Sequence, residues 1–126
     1  MGEKKILIIE DNIIVAMEIK TRVLQKGYTV TGIATSGPAA LLNVKEYHPD
    51  LALVDINLKG DMDGIETVSA IRSSFYDIAV IYITAYSNED VKQRASATHP
   101  VDYLTKPFEP TVLMSAIERA LGNSPS

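Results

Sequence analysis

Leu51-Ala52-Leu53-Val54-Asp55 is the stretch on which the fold turns. Its four apolar residues run on without alternation, as in a parallel strand covered on both faces. The carboxylate that ends it stands where open α/β sheets place their ligand sites, at the carboxyl end of a strand. Outward from here, the first apolar run, Ile6-Leu7-Ile8-Ile9, ends in Glu10-Asp11, and Val101-Asp102-Tyr103-Leu104-Thr105 runs into Lys106-Pro107. If these strands are neighbours, the carboxylates of Glu10, Asp11 and Asp55 and the ammonium of Lys106 converge in one crevice. Such an acid cluster repels itself without a further cation, which points to a divalent metal and phosphate chemistry.

Strand-like segments at 4–9, 29–34, 51–55, 78–84 and 101–105 alternate with helix-like segments at 12–26, 37–47, 63–73, 88–97 and 109–121. There is no internal repeat and no low-complexity stretch. In the first helix Ile14, Met17, Thr21 and Leu24 recur at helical spacing, and Gly27 closes it. Ser36 caps the second, with Pro38 in its first turn and Pro49 after its end. Asn88 caps the fourth, with Glu89 and Asp90 favoured by the helix dipole. Pro110 begins the fifth, whose expected apolar stripe is Val112, Leu113, Ala116, Ile117 and Ala120. The alternation predicts an α/β fold, a three-layer (βα)5 sandwich around a parallel five-stranded sheet. The domain is expected to span 1–121, with 122–126 a disordered tail.

At 126 residues, 46% apolar and 22% charged, the chain is expected to be one globular domain able to bury a core without staples. A net charge of −4 argues against a nucleic-acid surface. The absence of cysteine excludes disulfides and thiolate metal sites. No apolar run approaches the ~20 residues that span a bilayer, and the start does not read as a secretory signal. No membrane role is expected, and a cytoplasmic location is the default.

Phosphoryl transfer to a protein carboxylate needs an ionised nucleophile, a metal, a fixed cation on the phosphate and donors for the remaining oxygen. Asp55 fits the first role. Asp11 and Glu10 supply hard oxygen ligands suited to Mg²⁺. Lys106 is a point charge for a phosphate oxygen, Thr84 offers a hydroxyl, and Ala85 leaves its backbone N–H unobstructed. Asp50, Asp61 and Asp77 read as turn residues, Lys59 as a solvated loop lysine, and His48 and His99 as exposed loop residues.

The ordered set of Glu10-Asp11, Pro49-Asp50, Asp55, Asp63-Gly64, Thr84-Ala85 and Tyr103-Leu104-Thr105-Lys106-Pro107-Phe108 resembles the receiver domain of two-component response regulators, over about residues 4 to 121. The resemblance implies a flavodoxin-like fold with strand order 2-1-3-4-5. It implies that Asp55 is the phosphoacceptor, served by a histidine kinase or phosphotransfer protein. Asp11, Asp55 and the backbone carbonyl of Asn57 would hold Mg²⁺, with Glu10 acting through water. Lys106, Thr84 and the backbone N–H groups of Asn57 and Ala85 would bind the phosphoryl group. Thr84 and Tyr103 would form a switch, read by an unidentified downstream protein on the face of helix four, strand five and helix five, with homodimerisation there a further expectation. Lys92, Asp102 and Arg119 are the expected exposed contacts.

Two stretches depart from the family pattern. The loop Asn57-Leu58-Lys59-Gly60-Asp61-Met62-Asp63-Gly64 has no proline and one extra residue, so greater mobility is expected. Thr98-His99-Pro100 replaces the more common Gly-Ala pair at the exit of helix four. Tyr86, two residues after Thr84, is expected to slow water attack on the phosphoryl group. The alternatives are a receiver fragment of a longer regulator or hybrid kinase, a small aspartyl-phosphate phosphohydrolase, and a flavodoxin-like cofactor domain. The end of the chain soon after helix five favours a stand-alone protein over a fragment. A phosphohydrolase would carry a second aspartate where Asn57 stands. The acids Glu10-Asp11 would repel a cofactor phosphate, and no GxGxxG occurs.

Overall fold

A computed structural model of the chain describes residues 3–85 and 88–122; Tyr86 and residues 123–126 of the expected tail lie outside the described residues. Ten elements alternate: β1 (Lys5–Ile9), α1 (Ile13–Gln25), β2 (Thr29–Ala34), α2 (Gly37–Tyr47), β3 (Leu51–Asp55), α3 (Gly64–Ser74), β4 (Ala79–Thr84), α4 (Glu89–Ser96), β5 (Asp102–Thr105) and α5 (Pro110–Leu121). The strands form one parallel sheet in the order β2-β1-β3-β4-β5. The three-layer reading of the sequence therefore holds.

Four of the five strand-to-helix turns carry a side-chain cap. Asn12 caps α1, its side chain accepting from the backbone N–H of Ile14 and Val15. Ser36 caps α2 through the N–H of Ala39, and Asn88 caps α4 through the N–H of Val91. Asp63 and Glu66 close a reciprocal capping box on α3. The α2 exit is a left-handed turn at His48 (φ 51°), and His99 after α4 adopts the same conformation (φ 54°). Both histidines are exposed, as expected.

Alternate residues of the central strands face opposite layers. Leu7, Ile9, Ala52, Val54, Val80 and Tyr82 pack with α2, α3 and α4. Ile6, Ile8, Leu51, Leu53, Ile81 and Ile83 pack with α1 and α5. Burial on both faces is why these runs do not alternate in polarity.

On α1 and α5 the buried residues are not simply those whose apolar recurrence marks the helix in the sequence. The core face of α1 is Ala16, Ile19 and Val23, whereas Ile14 is 72% exposed and Met17 and Leu24 are also exposed. The helix carries apolar residues on two sides, and only the side of Ala16, Ile19 and Val23 packs on the sheet. On α5 the buried residues are Leu113, Met114, Ala116 and Ile117, while Val112 is exposed. Among the described residues no helix is long and apolar enough to cross a membrane.

Candidate functional site

β1 and β3 are adjacent, while the chain leaves β1 for β2 on one side and enters β3 on the other. Their carboxyl ends therefore border the crevice at which the strand order reverses. Asp55, 7% exposed, ends β3, and Glu10, 2% exposed, follows β1. The backbone N–H of Glu10 donates to the carbonyl of Ala34 (3.0 Å), which fixes where its side chain starts. One carboxylate oxygen each from Glu10, Asp11 and Asp55 lie within 4.8 Å of one another.

Lys106 reaches this cluster from the end of β5. Its Nζ lies 2.9 Å from Glu10 Oε1 and 3.6 Å from Asp55 Oδ2. Its backbone N–H donates to the carbonyl of Thr84 (2.8 Å), tying the ends of β4 and β5 together. The peptide bond between Lys106 and Pro107 is cis. Thr84 is fully buried, and its Oγ1 accepts from Asn57 Nδ2 (3.1 Å). Asn57 N–H donates to Asp55 Oδ1 (3.0 Å), so Asn57 bridges the aspartate and the threonine. The sequence reading assigned Asn57 backbone roles only; an amide two residues past a strand-terminal acid was the available signal.

Asp11 Oδ2 accepts from the backbone N–H of Lys59 (3.1 Å), and Glu10 Oε2 from that of Asn12 (3.1 Å). Glu10, Asp11, Asn12, Asp55, Lys59 and Lys106 line an open cleft of about 400 Å³. Lys59 is exposed, as expected, and its backbone N–H ties the 57–64 loop to Asp11. Burial pushes the Glu10 carboxyl above the ordinary carboxylate range; the Lys106 hydrogen bond opposes this, and Asp55 reinforces it.

Ala85 follows Thr84 at the exposed rim of the sheet. Tyr103, on β5, is half-buried, and its ring lies 6.4 Å from that of Tyr82 at 60°. Lys92 and Arg119 are exposed, whereas Asp102 is half-buried and forms an ion pair with Arg119. Asp102 is therefore a partly occupied residue and not the open contact expected. Asp50, read as a turn residue, accepts from the backbone N–H of Lys5 (2.8 Å) and joins the entries of β1 and β3.

A doubly wound sheet with two buried acids, a half-buried third and a lysine at its switch point defines a domain suited to a hard cation and a phosphoryl oxygen. The family model for the response regulator receiver domain matches residues 6–118, and the chain belongs to that family. Receiver domains are signalling domains of two-component systems; they generally bind Mg²⁺ at an acidic pocket and interact with histidine kinases or phosphotransfer proteins.

Among curated relatives, the transcriptional regulatory protein PdtaR of Mycobacterium tuberculosis is 31% identical over 118 residues, covering 94% of this chain and 57% of that protein. The chemotaxis protein CheY of Thermotoga maritima is 28% identical, covering 92% of this chain and 96% of that protein. The chain spans about half the length of several curated relatives it matches, 57% of PdtaR and 46% of the Pseudomonas aeruginosa regulator PhoP. Among solved structures, the signal receiver domain of a modulated diguanylate cyclase from Desulfovibrio desulfuricans superposes with a TM-score of 0.87 at 32% identity, covering 95% of this chain and 94% of that one. A CheY-like receiver domain protein from Methanospirillum hungatei gives 0.88 at 27% identity, covering 95% and 94%.

Proposed function

We propose that this chain is a phosphorylation-dependent signalling switch in which Asp55 accepts a phosphoryl group from a phosphohistidine of a partner kinase or phosphotransfer protein. The observation that carries the reading is the convergence on Asp55 of Glu10 and Asp11 from β1, Thr84 from β4 and Lys106 from β5. In the transfer, an Asp55 carboxylate oxygen forms a bond to phosphorus as the donor's P–N bond breaks. The imidazole nitrogen keeps that electron pair and takes up a proton from solvent.

The convergence of the Glu10, Asp11 and Asp55 carboxylates supports a hard cation such as Mg²⁺; Asp11, Asp55 and the backbone carbonyl of Asn57 would hold it, with Glu10 acting through water. When bound, the ion supplies charge neutralisation for the incoming oxygens. Lys106 then exchanges its contact with the acids for a phosphoryl oxygen. The backbone N–H groups of Asn57 and Ala85 and the Thr84 hydroxyl orient the others. Movement of Thr84 toward the phosphoryl group draws Tyr103 inward and alters the face formed by α4, β5 and α5, where a partner or a second copy binds. Residues 1–121 act as one unit in this reading, and the acyl phosphate is lost slowly to water.

Mg²⁺ with a small-molecule phosphodonor is expected to label the chain once, on Asp55, as read by intact mass and peptide mapping. No mass shift, or the same shift in Asp55→Asn, overturns the proposal.

A further inference from the structure

Thr98, at the exit of α4, is where the sequence departs from its family's pattern, and the phosphoryl site does not use it. Its Oγ1 lies 2.7 Å from the phenol oxygen of Tyr82. The single proton of that threonine hydroxyl is donated to the carbonyl of Ala95 (2.7 Å). Tyr82 is therefore the donor in the pair. The carbonyl of the same threonine accepts from Arg72 Nη1, and Arg72 is itself held by the carbonyl of Ile78 (2.9 Å from Nη2). One residue thus collects ties from α3, β4 and α4.

α4 needs such ties. It has eight residues, and Ala95 is its one buried side chain, so apolar burial contributes little to holding it. Elsewhere along it, Arg94 pairs with Asp63 (3.0 Å) at a position open to solvent, where an ion pair contributes little. The Tyr82–Thr98 bond is different, because Tyr82 is fully buried in the central part of the sheet. Burial also pushes its phenol pKa up, so the donor proton is present at neutral pH.

Tyr82 also touches the expected switch residue. Its ring faces that of Tyr103 across 6.4 Å, and Tyr103, Val91 and Ala95 pack into the same apolar cluster. A Tyr103 ring that turns inward as Thr84 withdraws moves within this cluster and changes the packing around Tyr82. Among the described residues Tyr103 has a ring contact with Tyr82, whose phenol bonds to Thr98 at the exit of α4.

We infer that the Tyr82–Thr98 hydrogen bond is a latch on α4, closed in the unphosphorylated protein and released when Tyr103 moves inward. The inference rests on the proposed switch at Asp55 and specifies how that switch reaches α4.

The test is amide hydrogen exchange over residues 92–97 in the full chain, with Tyr82→Phe, Thr98→Val and Thr98→Ser, each with and without beryllofluoride and Mg²⁺. In the unliganded protein, Tyr82→Phe and Thr98→Val are expected to speed exchange in α4 about fivefold, the effect of one net hydrogen bond. Thr98→Ser keeps the hydroxyl and should match wild type. The double variant Tyr82→Phe/Thr98→Val should exchange no faster than either single one, since both remove the same bond. With beryllofluoride bound, the difference between wild type and Tyr82→Phe should vanish, because the latch is already open.

Unchanged α4 exchange in unliganded Tyr82→Phe overturns the inference. So does a fivefold gap that persists in the beryllofluoride complex, which would make the bond a plain structural staple. If wild type forms no beryllofluoride adduct by fluorine NMR, the reading of the Asp55 site fails. The latch, which rests on that reading, then falls with it, whereas a persistent gap in a formed adduct overturns the latch alone.

Discussion

Gly64→Ala should destabilise this protein although it places a better helix former in the first turn of α3. The intrinsic preference of alanine over glycine inside a helix is about 1 kcal/mol. Against it, a Cβ at Gly64 would overlap the carbonyl oxygen of Asp55 and lie 2.8 Å from Ile56 Cα and 2.9 Å from Val54 Cγ1. Two of these atoms belong to backbone at the end of the central strand, so rotating a side chain cannot relieve the overlap. Overpacking of this kind costs about 1–3 kcal/mol, and contacts this short belong at the upper end. The net loss is then about 2 kcal/mol, or a fall in Tm of roughly 6–10 °C for a domain of this size. The Gly64 N–H also donates to the carbonyl of Ile56 (2.9 Å), so the displacement reaches the segment carrying Asp55, and labelling should slow as well. Thermal and urea unfolding followed by circular dichroism measure the loss. Gly60→Ala is the control: its Cβ meets nothing within 4 Å, although its φ is 107°, so it carries conformational cost without overlap. A Gly64→Ala protein that melts at or above wild type would refute the reasoning.

Two further outcomes follow from the acid cluster. Lys106→Ala should still accept a phosphoryl group but lose the response of partner binding to phosphorylation; a normal response in that variant, measured by pull-down with and without beryllofluoride, counts against the role of Lys106. The second concerns Glu10, whose carboxyl is held above its ordinary range chiefly by burial. The folded state then binds that proton more tightly than the unfolded one, so this contribution to stability is present below the unfolded pKa and is lost as pH rises through the raised folded value. Without Mg²⁺, the urea midpoint of Glu10→Gln relative to wild type should climb from acid to neutral pH, whereas a pH-independent difference would contradict the assignment.

Much of the site was legible in the sequence because its residues sit at strand ends. Apolar runs that stop at an acid or at Lys-Pro mark both the strand and the rim of the sheet, so Glu10, Asp11, Asp55, Thr84 and Lys106 could be read without coordinates. Side-chain pairing was harder to read. Asn57 as the residue joining Asp55 to Thr84, Lys59 as the backbone clamp on Asp11, and Asp102 already paired with Arg119 all depend on loops and neighbouring strands meeting at distances that spacing does not encode.

The division between the two sources is clearest in α1. Local sequence, through the recurrence of Ile14, Met17, Thr21 and Leu24 and through Gly27 after the end, marked a helix over about 12–26, which the structure places at Ile13–Gln25 with Asn12 as its cap. It could not determine which side faces the sheet, because Ile14, Met17 and Leu24 form as good an apolar stripe as Ala16, Ile19 and Val23. Only the tertiary structure decided that, since it is the side of Ala16, Ile19 and Val23 that joins Ile6 and Ile8 in one close-packed cluster. The same holds for the chain as a whole. Periodicity and caps are properties of a few consecutive residues and survive in the sequence, while the choice among faces, partners and hydrogen bonds is made by neighbours that the chain brings together only on folding.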